Sequence, residues 1–253
     1  VVSDESVATE EVASRRRHPD EMTLIEHLRE LRRRLIISLI AIGVGAIVAF
    51  SFYNYILAFL RHPYCEVRPG HCQLLALSIT DGLSLRTKVA FYGGLFGASP
   101  VVFWQLWRFI TPGLYPHEKR YAVPFLVTSV MLFTGGAAVA YLVFPRALEF
   151  LRAIGGPSLT YFYTAPNYLS FILLLMVVFG VAFEFPVVLV GLELAGVVKP
   201  AALAKRRRWA IFIIFALVAI FIPTGDPISM LAMAIPLVLF YEGAIIIGRA
   251  LGK

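Results

Sequence analysis

The apolar positions of this chain fall in long unbroken blocks, not in the alternation of half-buried strands or the one-sided stripe of soluble helices. Residues 35–57 carry no charge, and at about 1.5 Å per residue such a block crosses a hydrocarbon core of about 30 Å. Blocks 89–110, 122–144 and 168–194 qualify in the same way, with Arg108 marking the end of the second and Glu184 interrupting the fourth. Two shorter blocks, 210–222 and 228–247, flank Pro223-Thr-Gly-Asp-Pro227 and read as a short helical hairpin. The pattern predicts an all-α polytopic membrane protein with six transmembrane helices, the fifth and sixth short. A barrel would need weakly alternating segments of about ten residues, which are absent. Composition agrees: the 253 residues are 59% hydrophobic and 15% charged, against about 45–50% and about 25% in soluble domains.

Six spans put both termini on one side, and the basic residues choose the side. With the termini inside, all but six of the 23 Lys and Arg fall in the cytoplasm. The six exceptions, Arg61, Arg68, Arg86, Lys88, Arg146 and Arg152, are spread over two longer outer segments. The net charge of +7 therefore reports orientation, not a nucleic-acid surface. Residues 1–22 are polar and mixed in charge, so they are expected to form a disordered cytoplasmic tail without a cleavable signal peptide, ahead of a single membrane domain over 23–253. Cys65 and Cys72 share the first outer loop, where Pro69-Gly70 can turn the chain back; a loop disulfide and a pair of free thiols are the two readings. No metal site or cofactor is expected, since no further ligand pair accompanies His62 or His71.

Thr23 followed by Glu26 reads as a capping box, and Leu24, Leu28, Leu31 and Leu35 recur at helical spacing, so an amphipathic helix should enter the first span without a break. Glu30 lies about 120° from the centre of that leucine stripe, which aims it at cytoplasm or headgroups. Alternatively it pairs with Arg33 or Arg34 one turn on. Gly93 and Gly97, and Gly135-Gly136, mark helix contacts. Pro124, Pro145, Pro186 and Pro236 lie within or at the ends of spans and favour kinks and a curved outline. The outer segment 145–167 is expected to hold a short interfacial helix over 146–152.

Acids carry the candidate chemistry. Glu118, in Thr111-Pro-Gly-Leu-Tyr-Pro-His-Glu-Lys-Arg120, and Glu30, in His27-Leu-Arg-Glu-Leu-Arg-Arg-Arg34, both sit among cations on the cytoplasmic side, an arrangement suited to receiving a cation. Glu184 lies near the middle of the fourth span, where an ionised, unpaired carboxylate costs about 3 kcal/mol. It either makes a polar contact inside a groove or is a neutral acid satisfied by a carbonyl freed near Pro186. Asp226 can cap the sixth span. Glu193 and Glu242 are expected to snorkel or pair with nearby cations, and Gln105 and Trp107 to anchor at the interface. No phosphate loop, His-Glu-x-x-His pair or nucleophile elbow is present, and no enzymatic apparatus is expected.

Several motifs together resemble the TatC family, the multi-span receptor subunits of the twin-arginine protein translocase. They are His27 to Arg34, Phe109 to Arg120 (Phe-x-x-Pro-x-Leu-x-x-x-Glu-Lys-Arg), Phe179 to Pro186 (Phe-Gly-Val-x-Phe-Glu-x-Pro), and Asp226 followed by Ala234 to Pro236. The resemblance runs from Thr23 to Lys253. It implies a concave, glove-like set of helices in the plasma membrane of a prokaryote, both termini cytoplasmic, that binds twin-arginine signal peptides of folded proteins. By motif position, Glu30 and Glu118 would receive the two arginines, with Arg32, Phe109, Pro112, Leu114, Lys119 and Arg120 around them and Glu184 and Gln105 toward the hollow. It also implies self-association, single-span TatA and TatB partners along the last two helices, and the proton-motive force as energy source. Some family members place polar partner-binding side chains where this chain has Pro223 and Met230, so such a contact would use Thr224 and Ser229. The Cys65/Cys72 loop and Arg15-Arg16-Arg17 fall outside the family pattern. A proton-coupled carrier of small solutes, protonated at Glu184, is the rival reading, and an intramembrane protease a distant third.

Overall fold

A computed structural model describes residues 24–67, 73–110, 122–156, 163–194, 196–222 and 225–250. They form helices α1 (Leu24–Ser51), α2 (Tyr53–Val67), α3 (Asp81–Ile110), α4 (Ala122–Gly155), α5 (Ala165–Phe183), α6 (Phe185–Leu194), α7 (Pro200–Lys205), α8 (Arg207–Phe221) and α9 (Pro227–Ala250). Among the described residues the extended pairing is a single isolated bridge, Leu75 with Thr164, tying together the connections before α3 and before α5. Among the described residues five stretches are long and apolar enough to cross a membrane: Ile25–Ser51, Asp81–Phe109, Val123–Gly155, Ala165–Leu194 and Pro227–Ala250. The protein is a multi-pass, helical membrane protein.

The expected hairpin of two short spans is half right. α8 has 15 residues, about 22 Å, but α9 has 24, about 36 Å and ample for a full crossing. Asp226 starts α9 as expected, its Oδ1 accepting the Ser229 N–H at 2.7 Å.

The first span ends earlier than its apolar run. The chain breaks at Phe52, and Ser51 Oγ back-bonds to the Ile47 carbonyl at 3.3 Å, the local competition that bends helices. Arg86 lies over the rings of Phe50 and Tyr53, 5.7 and 4.9 Å from their centroids. Beyond the break α2 continues through Pro63 and buries Leu60, Pro63 and Tyr64. Cys65 is therefore helical, not in a loop, and it is disulfide-bonded; Cys72 lies outside the described residues.

The expected short helix over 146–152 is instead the C-terminal end of α4, which runs 34 residues through Pro145. An internal proline costs about 3 kcal/mol, but Phe144 and Leu148 flank it and are buried in the main core, and Ala147 between them is buried too. Burial of large apolar side chains, at about 1.5–3 kcal/mol each, is enough to carry the helix across.

The core lies among α2, α4, α5, α8 and α9, joined by Leu85 and Val89 of α3 and Leu189 of α6, with Phe144, Leu169, Ile172, Phe179, Met233 and Ile245 fully enclosed. α1 stands apart. Its one buried residue among those described is Ala49, and it is held by a close crossing with α3, where a Cβ on Gly45 would lie 2.8 Å from the Gly94 carbonyl oxygen. Gly97 and Gly135, expected at contacts, have open space beside them; the close approaches belong to their neighbours Gly93, Gly94 and Gly136.

Candidate functional site

The crossing at Gly45 and Gly94 brings the start of α1 beside the end of α3. There His27 stacks on Phe109 with ring centroids 4.4 Å apart, and a cavity of about 190 Å³ opens, lined by Glu30, Arg33, Arg34, Ile37, Gln105 and Arg108. Glu30 does not face outward from the helix pair. Its side chain is 21% exposed and turns inward to α3, whereas Leu28 and Leu35 of the leucine stripe are 63% and 57% exposed. The reason is the solvent: facing lipid tails, leucine gains nothing by turning inward, so the polar face takes the helix contact.

Within the cavity Arg34 donates to Glu30 through both Nε, at 3.1 Å, and Nη2. Both donors meet the same oxygen, Oε1, and Oε2 is buried without a hydrogen-bond partner. The second of the two sequence readings, a local pair one turn on, is therefore present. It uses only half of the carboxylate. Arg32 lies on the exposed side of α1 and does not line the cavity. Gln105, expected toward the hollow, faces Glu30 instead. Pro112, Leu114, Glu118, Lys119 and Arg120 lie outside the described residues, on the 111–121 connection that begins directly after this cavity.

A second polar site lies deeper. Helix α5 stops at Phe183 and α6 restarts at Phe185, leaving Glu184 at the joint; Pro186, lacking an N–H, accounts for the weakness there. Trp107 Nε1 donates to Ser129 Oγ at 3.1 Å, and the Ser129 hydroxyl is hydrogen-bonded to Glu184. Glu184 Oε1 has no hydrogen-bond partner. The satisfied contact is thus a neighbouring helix's hydroxyl, not a freed carbonyl. Trp107, expected as an interfacial anchor, is buried and stacks on Phe125 at 4.5 Å. Sequence reasoning missed Ser129; a serine inside an otherwise apolar span was the available signal.

Close by, α4, α6 and α9 enclose an apolar hollow of about 390 Å³ that includes Phe125, Thr128, Pro186, Val187 and Phe240. A second, of about 310 Å³, lies between α5, α8 and α9 at Val181, Phe185, Leu217 and Met233. At the start of α9 Asp226 and Ser229 are buried and Met230 packs on the core; Thr224 lies outside the described residues. Glu242 pairs with Arg207 at 2.9 Å, as expected. Glu193 departs from expectation: it is 1% exposed with neither carboxylate oxygen hydrogen-bonded, packed where Gly248 lacks a side chain. Among the described residues no cluster of side chains could hold a metal ion.

Residues 26–236 match the family model described as Sec-independent protein translocase protein (TatC). The chain is 45% identical over 231 residues to the Sec-independent protein translocase protein TatC of Aquifex aeolicus, covering 90% of this chain and 95% of that one. It is 40% identical over 231 residues to the TatC of Magnetococcus marinus, covering 91% and 85%. Among solved structures, one described as the crystal structure of the twin arginine translocase receptor TatC superposes with a TM-score of 0.74 at 44% identity, over 90% of this chain and all of that one. The motifs at both polar sites, the helical fold and the matches across nine-tenths of the chain agree: the chain belongs to the TatC family of Sec-independent protein translocase proteins.

Proposed function

We propose that this chain is a non-enzymatic receptor of a twin-arginine translocase, and that Glu30 and Glu118 receive the paired arginines of a signal peptide at the cytoplasmic face of a prokaryotic plasma membrane. The observation that carries the reading is that Glu30 lines an open cavity and keeps its buried Oε2 without a hydrogen-bond partner, directly before the connection that holds Glu118. A guanidinium offers a planar fork to such an oxygen and ammonium only a point charge, which accounts for selecting arginine over lysine. The basic surroundings make binding salt-sensitive. Most Lys and Arg residues lie in the segments assigned inside, which supports cytoplasmic termini. The apolar hollows beside Glu184 and along α8 and α9 suit the signal peptide's apolar segment and single-span TatA and TatB partners, with proton-motive force as the energy source. The membership in a translocase family leaves no role for the small-solute carrier reading.

The test is photocrosslinking from a residue introduced at position 118. A twin-arginine signal peptide should label it, and the twin-lysine version should label at a small fraction of that level. Preferential labelling by the lysine peptide would overturn the assignment.

A further inference from the structure

We propose that Arg34 is a resident occupant of the arginine site: it holds Glu30 in the resting protein, an incoming guanidinium displaces it, and the exchange sets both affinity and arginine-over-lysine selectivity. The proposal rests on Glu30 as a receiver and concerns how that receiver is kept at rest.

The geometry of the pair points this way. A fork-on-fork pairing would use both carboxylate oxygens, yet Arg34 places Nε and Nη2 on Oε1 alone. Oε2 stays buried and unpartnered, and such orphaned acceptors in folded proteins need an explanation. A donor arriving from outside the chain supplies one. The cavity's charge supplies the other half of the argument. Among the described residues Glu30 is the one acid lining it, against Arg33, Arg34 and Arg108. Arg33 and Arg108 form no ion pair among the described residues, and both are exposed. A further guanidinium entering about 190 Å³ of space with three already present adds a positive charge that the single Glu30 carboxylate cannot balance along with Arg34. Arg34, one turn along a largely exposed helix, is the group that can relieve it, because its long stem can carry the charge out to water or headgroups.

Selectivity follows from the exchange. Replacing one guanidinium by another keeps the two-donor contact, so the swap is close to balanced; ammonium cannot reproduce it. A weaker or single-arginine ligand fails to dislodge the resident. While Arg34 is seated, apparent affinity is lowered by the fraction of molecules in which Glu30 is open.

The experiment measures equilibrium binding of fluorescent twin-arginine and twin-lysine signal peptides to the full chain in lipid nanodiscs. It compares the native protein with Arg34→Gln, Arg34→Lys, Glu30→Gln and the Arg34→Gln/Glu30→Gln double variant. Arg34→Gln should bind the arginine peptide about three- to tenfold tighter, the size expected when a charge-assisted internal contact no longer competes. The lysine peptide should gain more, narrowing the ratio between them. Arg34→Lys should fall between, and because it keeps charge and helix propensity it controls for any loss of fold. The double variant should match Glu30→Gln. If Glu30→Gln weakens binding while Arg34→Gln and Arg34→Lys leave it unchanged or weaken it, Arg34 is scaffold, the displacement idea is wrong and the receiver reading stands. If Glu30→Gln itself has no effect, the receiver reading fails and takes this proposal with it.

Discussion

Glu30 and Glu184 are two partly enclosed carboxylates with one oxygen engaged and one open, yet they are built in opposite ways. Glu30 is held by a cation on its own helix, four residues away, among further arginines. Glu184 is held by a neutral hydroxyl from another helix, itself fixed by the Trp107 indole, and has no ion pair among the described residues. The first is suited to trading one cation for another at a surface. The second is suited to a hydrogen bond inside an apolar hollow, where a charge without a partner is costly. The chain therefore carries one acid among cations and one among apolar side chains, separated by a single helix: α3 turns Gln105 and Arg108 toward Glu30 and Trp107 toward Ser129.

The comparison can be broken from either end. The largest effect should come from Gly94→Leu, which forces a side chain into the α1 backbone. Overpacking of this kind costs about 1–3 kcal/mol, and the α1–α3 cavity depends on that crossing, so signal-peptide binding should be lost while the Trp107–Ser129–Glu184 contact survives. Tryptophan fluorescence, reading the indole environment, and peptide titration would separate the two outcomes.

Ser129→Ala comes next. It removes the hydroxyl joining Trp107 to Glu184 and deprives the Glu184 carboxyl of that contact, at about 1–3 kcal/mol. Tryptophan emission should shift and transport should fall, with peptide docking unchanged; Glu184→Ala should likewise spare docking and impair a later step. Loss of docking in either variant would show that the sites are not separate. Smallest is Asp226→Ala, distant from both acids, which deletes the α9 cap at about 1 kcal/mol. It should lower the melting temperature modestly and leave peptide affinity as it is.

Much of the fold was legible because lipid imposes length: the apolar blocks correspond to α1, α3, α4, the α5–α6 pair, α8 and α9. What the sequence hid is which way each helix faces. In water an apolar stripe marks the inside, but Leu28 and Leu35 face outward here, and the acid they were expected to turn outward faces in. Periodicity gives the angle between Glu30 and the leucines correctly and cannot say which of them meets the protein. Pro145 was read as a boundary because its local cost is visible in sequence, whereas the compensating burial of Phe144 and Leu148 is a tertiary fact. Glu193 and Trp107 were misplaced for the same reason, since a long side chain near a span end can reach outward or pack inward. The choice depends on neighbours such as Gly248 and Phe125. The pairing of Glu30 with Arg34, one turn apart on a single helix, needed no such knowledge and was readable from spacing.

The central claim is a direct contact between the Glu30 carboxylate and a guanidinium of the bound peptide. A double-mutant cycle measures it, combining Glu30→Gln in the protein with replacement of each signal-peptide arginine by lysine and titrating all pairs in nanodiscs. The account predicts a coupling of about 0.5–3 kcal/mol for one of the two arginines, the range for residues in contact. Additive effects at both arginines, with coupling near zero, would contradict it.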